Sequence, residues 1–147
     1  MGRGPAADAG SEVTVLVDTS VWIEYFRDTG VPGTAFLQKS ADSDGAFRTC
    51  GPVIMEVLAG ARNDDDLATM TSILSRGHGI LTQPEHFDGA ASLYRACRAQ
   101  GITVRSMIDC LIATIAMDED VEVLHHDRDF GAIAQVIPLR IHPASIN

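Results

Sequence analysis

The stretch VTVLVDTSVWIEYF, residues 13–26, decides the fold class of this 147-residue chain. Its first five residues are a continuous, mostly β-branched run, which is typical of a strand buried on both faces of a parallel sheet. The run ends at Asp18, and Thr19 or Ser20 can cap the helix that follows. One side of that helix is apolar, with Val21, Trp22, Tyr25 and Phe26.

The same alternation of strand and helix continues to the end of the chain. Further strands are predicted near residues 46–50, 77–81, 121–124 and 139–142. Further helices are predicted around residues 35–39, 52–61, 67–74, 84–99, 107–117 and 130–134, with Asp64–Asp66 and Ser106 as caps. The pattern indicates an α/β fold of three layers, helix–sheet–helix, with a central parallel sheet of four to five strands. Such sheets bind ligands beyond the carboxyl ends of their strands, so we expect the site at the end of the first strand.

The length of the chain suits one domain. Residues 1–12 are small, polar and rich in Gly and Ala, so we expect a disordered leader there and a single domain over residues 13–147. Neither a signal peptide nor a membrane span is predicted. The three cysteines are an odd number without CxxC spacing, which disfavours a disulfide framework or a zinc knuckle and favours the cytoplasm.

The net charge of −9 argues against a protein that grips nucleic acid with a broad basic face. Lys39 is the single lysine of the sequence, which excludes a GxxxxGK[ST] phosphate-binding loop. If the protein contacts phosphates, the candidates are arginines: Arg62, Arg95, Arg98, Arg105 and Arg128.

Four acidic residues occupy positions where acids are unexpected. Asp18 and Asp127 follow buried apolar strands, and Glu56 and Asp109 lie inside otherwise apolar helices. Ionised acids are rarely buried without compensation. If the four converge within about 5 Å, each ionised pair repels by roughly 3 kcal/mol at an effective dielectric constant near 20. A positive charge is therefore expected among them.

A divalent metal ion is the simplest source of that charge. Oxygen ligands without an accompanying cysteine favour Mg²⁺ or Mn²⁺ over zinc. Such an ion polarises a phosphodiester and activates water, so the reaction class that follows is phosphodiester hydrolysis.

Each acid also has a structural alternative. Asp18 can simply cap its helix, Glu56 can be a surface acid, and Asp109 can belong to a structural ion pair. Asp127 and Asp129 can be turn and N-cap residues. Zinc binding by His125 and His126 is less favoured than a place in the core, and the aromatic residues near position 22 can form either core or a dimer surface.

Four segments resemble, in order and spacing, the acidic motifs of VapC-type PIN-domain toxins. They are VLVDTSVWIEYF, PVIMEVLAGAR, RSMIDCLIATIA and LHHDRDFGAIA, and together they span nearly the whole chain from Val13 onward. The resemblance implies that Asp18, Glu56 and Asp109 are the three core metal-site acids and that Asp127 is the fourth. Asp129 is similar to the second acid of a DxD pair, and the division between Asp127 and Asp129 stays open.

The resemblance also implies an activity and partners. It implies an Mg²⁺- or Mn²⁺-dependent endoribonuclease toxin that cuts RNA, forms a homodimer and is neutralised by a VapB-type antitoxin whose tail occludes the cleft. Thr19 or Ser20 resembles a small hydroxyl residue beside the metal. The residues before Val13 depart from the family pattern, in which the first strand begins close to the initiator Met.

Other classes of protein with clustered aspartates fit less well. A response-regulator receiver domain needs a lysine after its last strand, and Lys39 is far from that place. A haloacid-dehalogenase phosphatase needs an Asp at position 20, where this chain has Ser. The remaining alternative is a catalytically inactive PIN module that binds RNA or a protein partner.

Overall fold

The computed structural model describes residues 14–42 and 45–146, and the leader expected at residues 1–12 lies outside them. Within this part, four short strands form one parallel sheet in the order β3–β2–β1–β4. The strands are β1 (Val15–Val17), β2 (Arg48–Cys50), β3 (His78–Ile80) and β4 (Glu122–Leu124). The α/β class and the parallel sheet predicted from the sequence are confirmed.

Strand β1 lies in the middle of the sheet. Leu16 is paired with Arg48 of β2 on one side and with Val123 of β4 on the other. All three residues of β1 are buried, as expected for a strand covered on both faces. The opening apolar run therefore forms the centre of the fold.

The fifth strand predicted at residues 139–142 is wrong. Only an isolated parallel bridge joins Ile141 to Val123 in the described residues. Pro138 and Pro143 flank this segment, and a proline cannot donate a ladder hydrogen bond. The segment therefore touches the edge of β4 without extending the sheet.

Seven helices connect and cover the strands in the described residues. They are α1 (Thr19–Phe26), α2 (Pro32–Ala41), α3 (Gly51–Ala59), α4 (Asp64–Leu74), α5 (Pro84–Ala99), α6 (Met107–Glu119) and α7 (Arg128–Ile133). Two predicted caps are wrong. Asp18, not Thr19 or Ser20, caps α1, and Asn63 caps α4, with Asp64–Asp66 in its first turn. In both cases the residue just before the helix has the extended backbone that lets its side chain accept a hydrogen bond from the first turn.

The order of the strands places helices on both faces of the sheet. The chain runs from β1 through β2 to β3 and then returns across the sheet to β4, so right-handed crossovers put α1–α4 on one face and α5–α6 on the other. The packing fits this arrangement, since α1 contacts α2 and α3 and α5 contacts α6, and α3 also contacts α6. Strand order reverses at β1, which makes the crevice beyond β1 and β4 the expected binding position.

The aromatic residues of α1 belong to the core of the single chain. Val21 and Trp22 are completely buried, and the Trp22 ring meets Phe47 edge-on at 5.2 Å between ring centroids. Tyr25 and Phe26 are partly buried against the same core. Val21 and Trp22 therefore need no second copy of the chain to cover them. Among the described residues, no helix has the length and apolar character needed to cross a membrane.

Candidate metal centre

The predicted acids meet where β1 and β4 end. The backbone N–H of Asp18 donates to the carbonyl of Leu124 at 2.9 Å, which joins the two strand ends. Asp127 begins α7 just beyond β4, and Asp109 lies in the first turn of α6. Glu56 reaches the same place from α3, a helix that contacts α6.

Asp18 uses one carboxylate oxygen for structure and leaves the other without a partner. Its Oδ2 accepts hydrogen bonds from the backbone N–H of Ser20, at 2.9 Å, and from the Ser20 hydroxyl. Its Oδ1 is buried and has no hydrogen-bond partner in the described residues. Burial raises the pKa of Asp18 to about 6, although the Ser20 bonds act in the opposite direction. Asp18 is therefore a helix cap and also offers a free oxygen to the crevice.

Asp109 is a buried acid whose charge has no cationic partner among the described residues. Its side chain has Oδ2 buried without a hydrogen-bond partner, and none of the described cations pairs with it. The structural ion pair considered above is therefore wrong for Asp109. Burial, followed by the charges of nearby acids, Asp18 first, raises its pKa to about 8. Repulsion among the acids is thus present at Asp109, as the sequence predicted.

Asp109, Asp127 and Asp129 form the tightest acidic group. One carboxylate oxygen from each lies within 4.8 Å of the other two. Asp127 also caps α7, because its Oδ1 accepts from the N–H of Asp129 at 2.9 Å. The N-cap alternative is thus confirmed for Asp127, and as with Asp18 it coexists with a position at the site.

Glu56 and Asp18 stand beside this group and do not belong to it. Glu56 is half-buried, and its Oε1 accepts from the Thr19 hydroxyl at 2.9 Å. Its charge contributes to the raised pKa values of Asp18 and Asp109, which places it near both carboxylates. The five acids predicted from the sequence therefore come together, with Asp109, Asp127 and Asp129 closest to one another.

Arg105 is part of the centre in a way that the sequence did not indicate. Its Nε donates to Asp129 Oδ1 at 3.2 Å and its Nη2 donates to Asp127 Oδ1 at 2.9 Å. Its backbone N–H donates to Asp129 Oδ2 at 3.1 Å. From the sequence, Arg105 is only one of five candidate phosphate contacts. Because 22 and 24 residues separate the partners, no local pattern identifies these pairs.

His125 belongs to the core, as favoured over zinc binding. It is 2% exposed, and its ring lies 5.1 Å from that of Phe130. Its Nδ1 accepts from the N–H of Asp127 at 3.2 Å, and burial lowers its pKa to about 4. A neutral His125 thus helps to hold the turn that presents Asp127.

This set of side chains fits a hard divalent cation. Two buried carboxylate oxygens, Asp18 Oδ1 and Asp109 Oδ2, lack hydrogen-bond partners in the described residues, and a buried unpaired polar atom carries a free-energy cost. The donor atoms around them are carboxylate oxygens, the ligands that Mg²⁺ and Mn²⁺ prefer. The unpartnered oxygens and the group formed by Asp109, Asp127 and Asp129 therefore match the ligand chemistry of such an ion.

A groove leads away from Glu56. It has a volume of about 690 Å³ and lies among α1, α3 and α4. Its apolar lining comes from Ile23, Phe26, Val57 and Met70, and Arg27 and Arg62 also line it. Arg62, one of the predicted phosphate contacts, therefore lies at the groove. It forms a surface ion pair there with Asp66 at 3.3 Å.

Solved structures with the same fold include VapBC and FitAcB. A DNA-bound VapBC from Salmonella typhimurium matches with a TM-score of 0.71 and 16% identity, covering 88% of this chain and 96% of that one. FitAcB from Neisseria gonorrhoeae matches with a TM-score of 0.68 and 18% identity, covering 88% and 97%. At this identity the likeness establishes the fold.

Sequence comparison gives a closer relationship. VapC ribonuclease Mb1587 of Mycobacterium bovis is 37% identical over 129 residues, covering 86% of this chain and 96% of the relative. Ribonuclease VapC11 of Mycobacterium tuberculosis matches equally well. The family model of the PIN domain matches residues 15–136, which include all five acids. The chain therefore belongs to the PIN-domain family.

Proposed function

We propose that this protein is a divalent-metal-dependent endoribonuclease and the toxin of a toxin–antitoxin pair. Its centre would be formed by Asp18, Glu56, Asp109 and Asp127, with Asp129 beside them, and Mg²⁺ or Mn²⁺ would be the ion. The relationship to VapC ribonucleases over most of the chain supports the activity. The observation that carries the proposal is the pair of buried, unpartnered oxygens on Asp18 and Asp109, next to three further acids.

The side chains divide the work of holding the site. Asp109 and Asp18 would present their free oxygens to the ion, and Ser20 fixes Asp18 through its hydroxyl, which also accepts from the N–H of His126 at 2.9 Å. A divalent ion at this position supplies Lewis-acid polarisation of a phosphodiester and lowers the pKa of a water molecule. Thr19 holds Glu56 by a hydrogen bond, so that this carboxylate stays at the edge of the crevice.

Replacing Asp109 with Asn tests the activity. The change keeps the shape of the side chain and removes a charged ligand, so we expect RNA cleavage in the presence of Mg²⁺ or Mn²⁺ to fall at least about 100-fold while the protein stays folded. Asp65→Asn is the matched control, because Asp65 is exposed on α4. Cleavage is measured on an RNA substrate with Mn²⁺ and with a chelator.

Two results would contradict the proposal. Undiminished cleavage by Asp109→Asn would show that the acids are not the catalytic centre. Absence of metal-dependent cleavage by the parent would favour the alternative of an inactive PIN module that binds RNA or a protein partner.

The groove beside Glu56 is the proposed site of the antitoxin. An apolar segment of a VapB-type antitoxin fits its apolar lining, and acidic residues would fit Arg27 and Arg62. Occupancy would close the approach to Glu56 and so inhibit the enzyme. The cytoplasm is the proposed location, in agreement with three cysteines that are free and buried.

A lysine in the groove tests the position of the antitoxin. Ile23→Lys should weaken antitoxin binding at least about tenfold, because a charge would be buried against an apolar partner. Leu67→Lys is the control, since Leu67 and Ile23 are equally exposed, at 41%, and Leu67 does not line the groove. Equal binding by both variants, measured by calorimetry, would place the antitoxin elsewhere.

A further inference from the structure

Arg105 supplies the one guanidinium that the described residues place in contact with Asp127 and Asp129. Its pairing is asymmetric, because its side chain is 54% exposed, whereas that of Asp129 is 5% exposed. The cation therefore reaches from the surface to two acids of the proposed centre.

Each of the two acids also accepts a hydrogen bond from the backbone. Asp129 Oδ2 accepts from the backbone N–H of Arg105, and Asp127 Oδ1 accepts from the backbone N–H of Asp129. These bonds do not depend on the side chain at position 105. The chief contribution of the guanidinium is therefore its positive charge beside Asp127 and Asp129.

That charge opposes a metal ion at the same carboxylates. Asp127 and Asp129 belong to the three-acid group whose oxygens lie within 4.8 Å of one another, so an ion held by that group would share these carboxylates with the guanidinium. Two positive charges beside the same carboxylates repel each other. The hydrogen bonds that Arg105 donates also draw electron density from the carboxylate oxygens.

We propose that Arg105 is an internal counter-cation: it neutralises Asp127 and Asp129 in the metal-free protein and, by competing for them, weakens the binding of the divalent ion. The inference rests on the proposed metal centre. It also assigns roles within the DxD pair. Asp129, with hydrogen bonds to both oxygens, is the main partner of Arg105, and Asp127 keeps Oδ2 available for the ion.

The affinity for Mn²⁺ tests this assignment through its sign. Arg105→Gln should bind Mn²⁺ about three- to tenfold more tightly than the parent, because a repelling charge is removed while the backbone bonds remain. The same variant should melt several degrees lower without metal, since Asp129 loses its counter-cation. Binding is measured by electron paramagnetic resonance of free Mn²⁺ on the full chain.

Two further variants separate charge from shape. Arg105→Lys keeps the positive charge and loses the planar guanidinium that donates to both acids. Its affinity for Mn²⁺ should therefore lie between those of the parent and Arg105→Gln. Arg140→Gln should bind as the parent does. Arg140 is 51% exposed and paired with Asp120, so it controls for the loss of a half-exposed, ion-paired arginine away from the centre.

The outcomes are distinct. Tighter binding by Arg105→Gln, with Arg140→Gln unchanged, supports the counter-cation. If Arg105→Gln does not fold, the affinity of Arg105→Lys decides. Weaker Mn²⁺ binding by either variant than by the parent overturns the inference, because it would show that the planar guanidinium holds the metal ligands in position. A parent that binds no Mn²⁺ overturns the inference together with the metal centre on which it rests.

Discussion

Asp109 is the acid of the site whose pKa is raised furthest, to about 8, compared with about 6 for Asp18. It is 6% exposed and has no cationic partner in the described residues, and the charges of four other acids act on it. Burial and neighbouring negative charges both disfavour the ionised form of a carboxyl group, so such a group keeps its proton to higher pH. Its raised pKa is therefore a consequence of burial first and of the nearby acidic charges second.

The first prediction concerns the pH dependence of stability without metal. Folding raises the pKa of Asp109 from 3.8 to about 8, so between these values the folded state binds a proton that the unfolded state lacks. The free energy of unfolding should therefore fall as pH rises through this window, by up to about 1.4 kcal/mol per pH unit for one group. Asp18, with a pKa of about 6, adds to the fall only at its lower end.

Asp109→Asn isolates the contribution of this residue. Its amide does not titrate, so the variant should lose less stability than the parent between about pH 6 and pH 8. Urea unfolding at both pH values, with a chelator present, measures the difference. Asp65→Asn should behave like the parent, and parallel slopes for parent and Asp109→Asn would show that Asp109 ionises normally.

The sequence identified the acids but not their partners. An acid in an apolar helix or after a buried strand is visible in the sequence, and all five candidates lie at the same end of the sheet. The pairing of Arg105 with Asp127 and Asp129 depends on α6 and α7 being adjacent, which no local pattern encodes.

Among the elements, the helix caps show how a short-range prediction can miss by one residue. The strand run ends at Asp18, so the sequence allows Thr19 or Ser20 as the cap as well as Asp18 itself, and the extended backbone of Asp18 decides for Asp18. In the strand predicted at residues 139–142, the flanking prolines Pro138 and Pro143 leave only one bridge, from Ile141 to Val123. The long helices were predicted well because their apolar periodicity extends over several turns.

The packing of α5 on α6 gives a prediction at the scale of elements. An added Cβ at Gly89 would lie 2.8 Å from Cγ2 of Thr114, and the Thr114 hydroxyl is fixed by donating to the Cys110 carbonyl at 2.8 Å. Gly89→Ala should therefore destabilise the protein by about 1–2 kcal/mol, despite the roughly 1 kcal/mol by which alanine favours a helix.

A second substitution tests this explanation. Thr114→Ser removes the methyl group and keeps the hydroxyl, so the double variant should recover most of the loss caused by Gly89→Ala. Thermal unfolding of the parent, both single variants and the double variant measures the coupling. A Gly89→Ala protein more stable than the parent would mean that the two helices move apart at no cost.

For the whole molecule, the order of the strands explains why distant residues share a site. The sequence predicted parallel strands, but only the structure gives the order β3–β2–β1–β4 and thus the reversal at β1. That reversal brings the end of β4 beside the end of β1, so Asp18 and Asp127 meet across more than 100 residues of sequence.

The expected homodimer remains a prediction, with a changed physical basis. Val21 and Trp22 are buried within one chain and cannot form a dimer surface. Exposed apolar side chains remain elsewhere, among them Met55, Leu81 and Phe87, which are 57%, 77% and 57% exposed. Light scattering should show twice the mass of the chain at micromolar concentrations. A monomer at every workable concentration would remove the dimer.

The last prediction concerns the effect of metal on the stability of the whole protein. An ion that binds only the folded state should stabilise it by RT ln(1 + [L]/Kd), roughly 1.4 kcal/mol at ten times Kd. In a domain of this size, that corresponds to a rise of about 2–4 °C in melting temperature. Bound ion must also displace the proton of Asp109, so the rise should be larger at pH 8 than at pH 6.

Asp109→Asn should produce two opposite changes in the same experiment. Without metal it should melt at a higher temperature than the parent at pH 7, because Asp109 must take up a proton when the protein folds and the amide of Asn does not. With millimolar Mn²⁺ its increment should shrink, because a ligand is missing. A purely structural acid would produce neither change, since its loss lowers stability regardless of the ion. Thermal scans of parent and variant, first with chelator and then with Mn²⁺, therefore distinguish a metal centre from a structural cluster: a parent unaffected by the ion, or a variant less stable without it, would show that these acids maintain the fold and bind no metal.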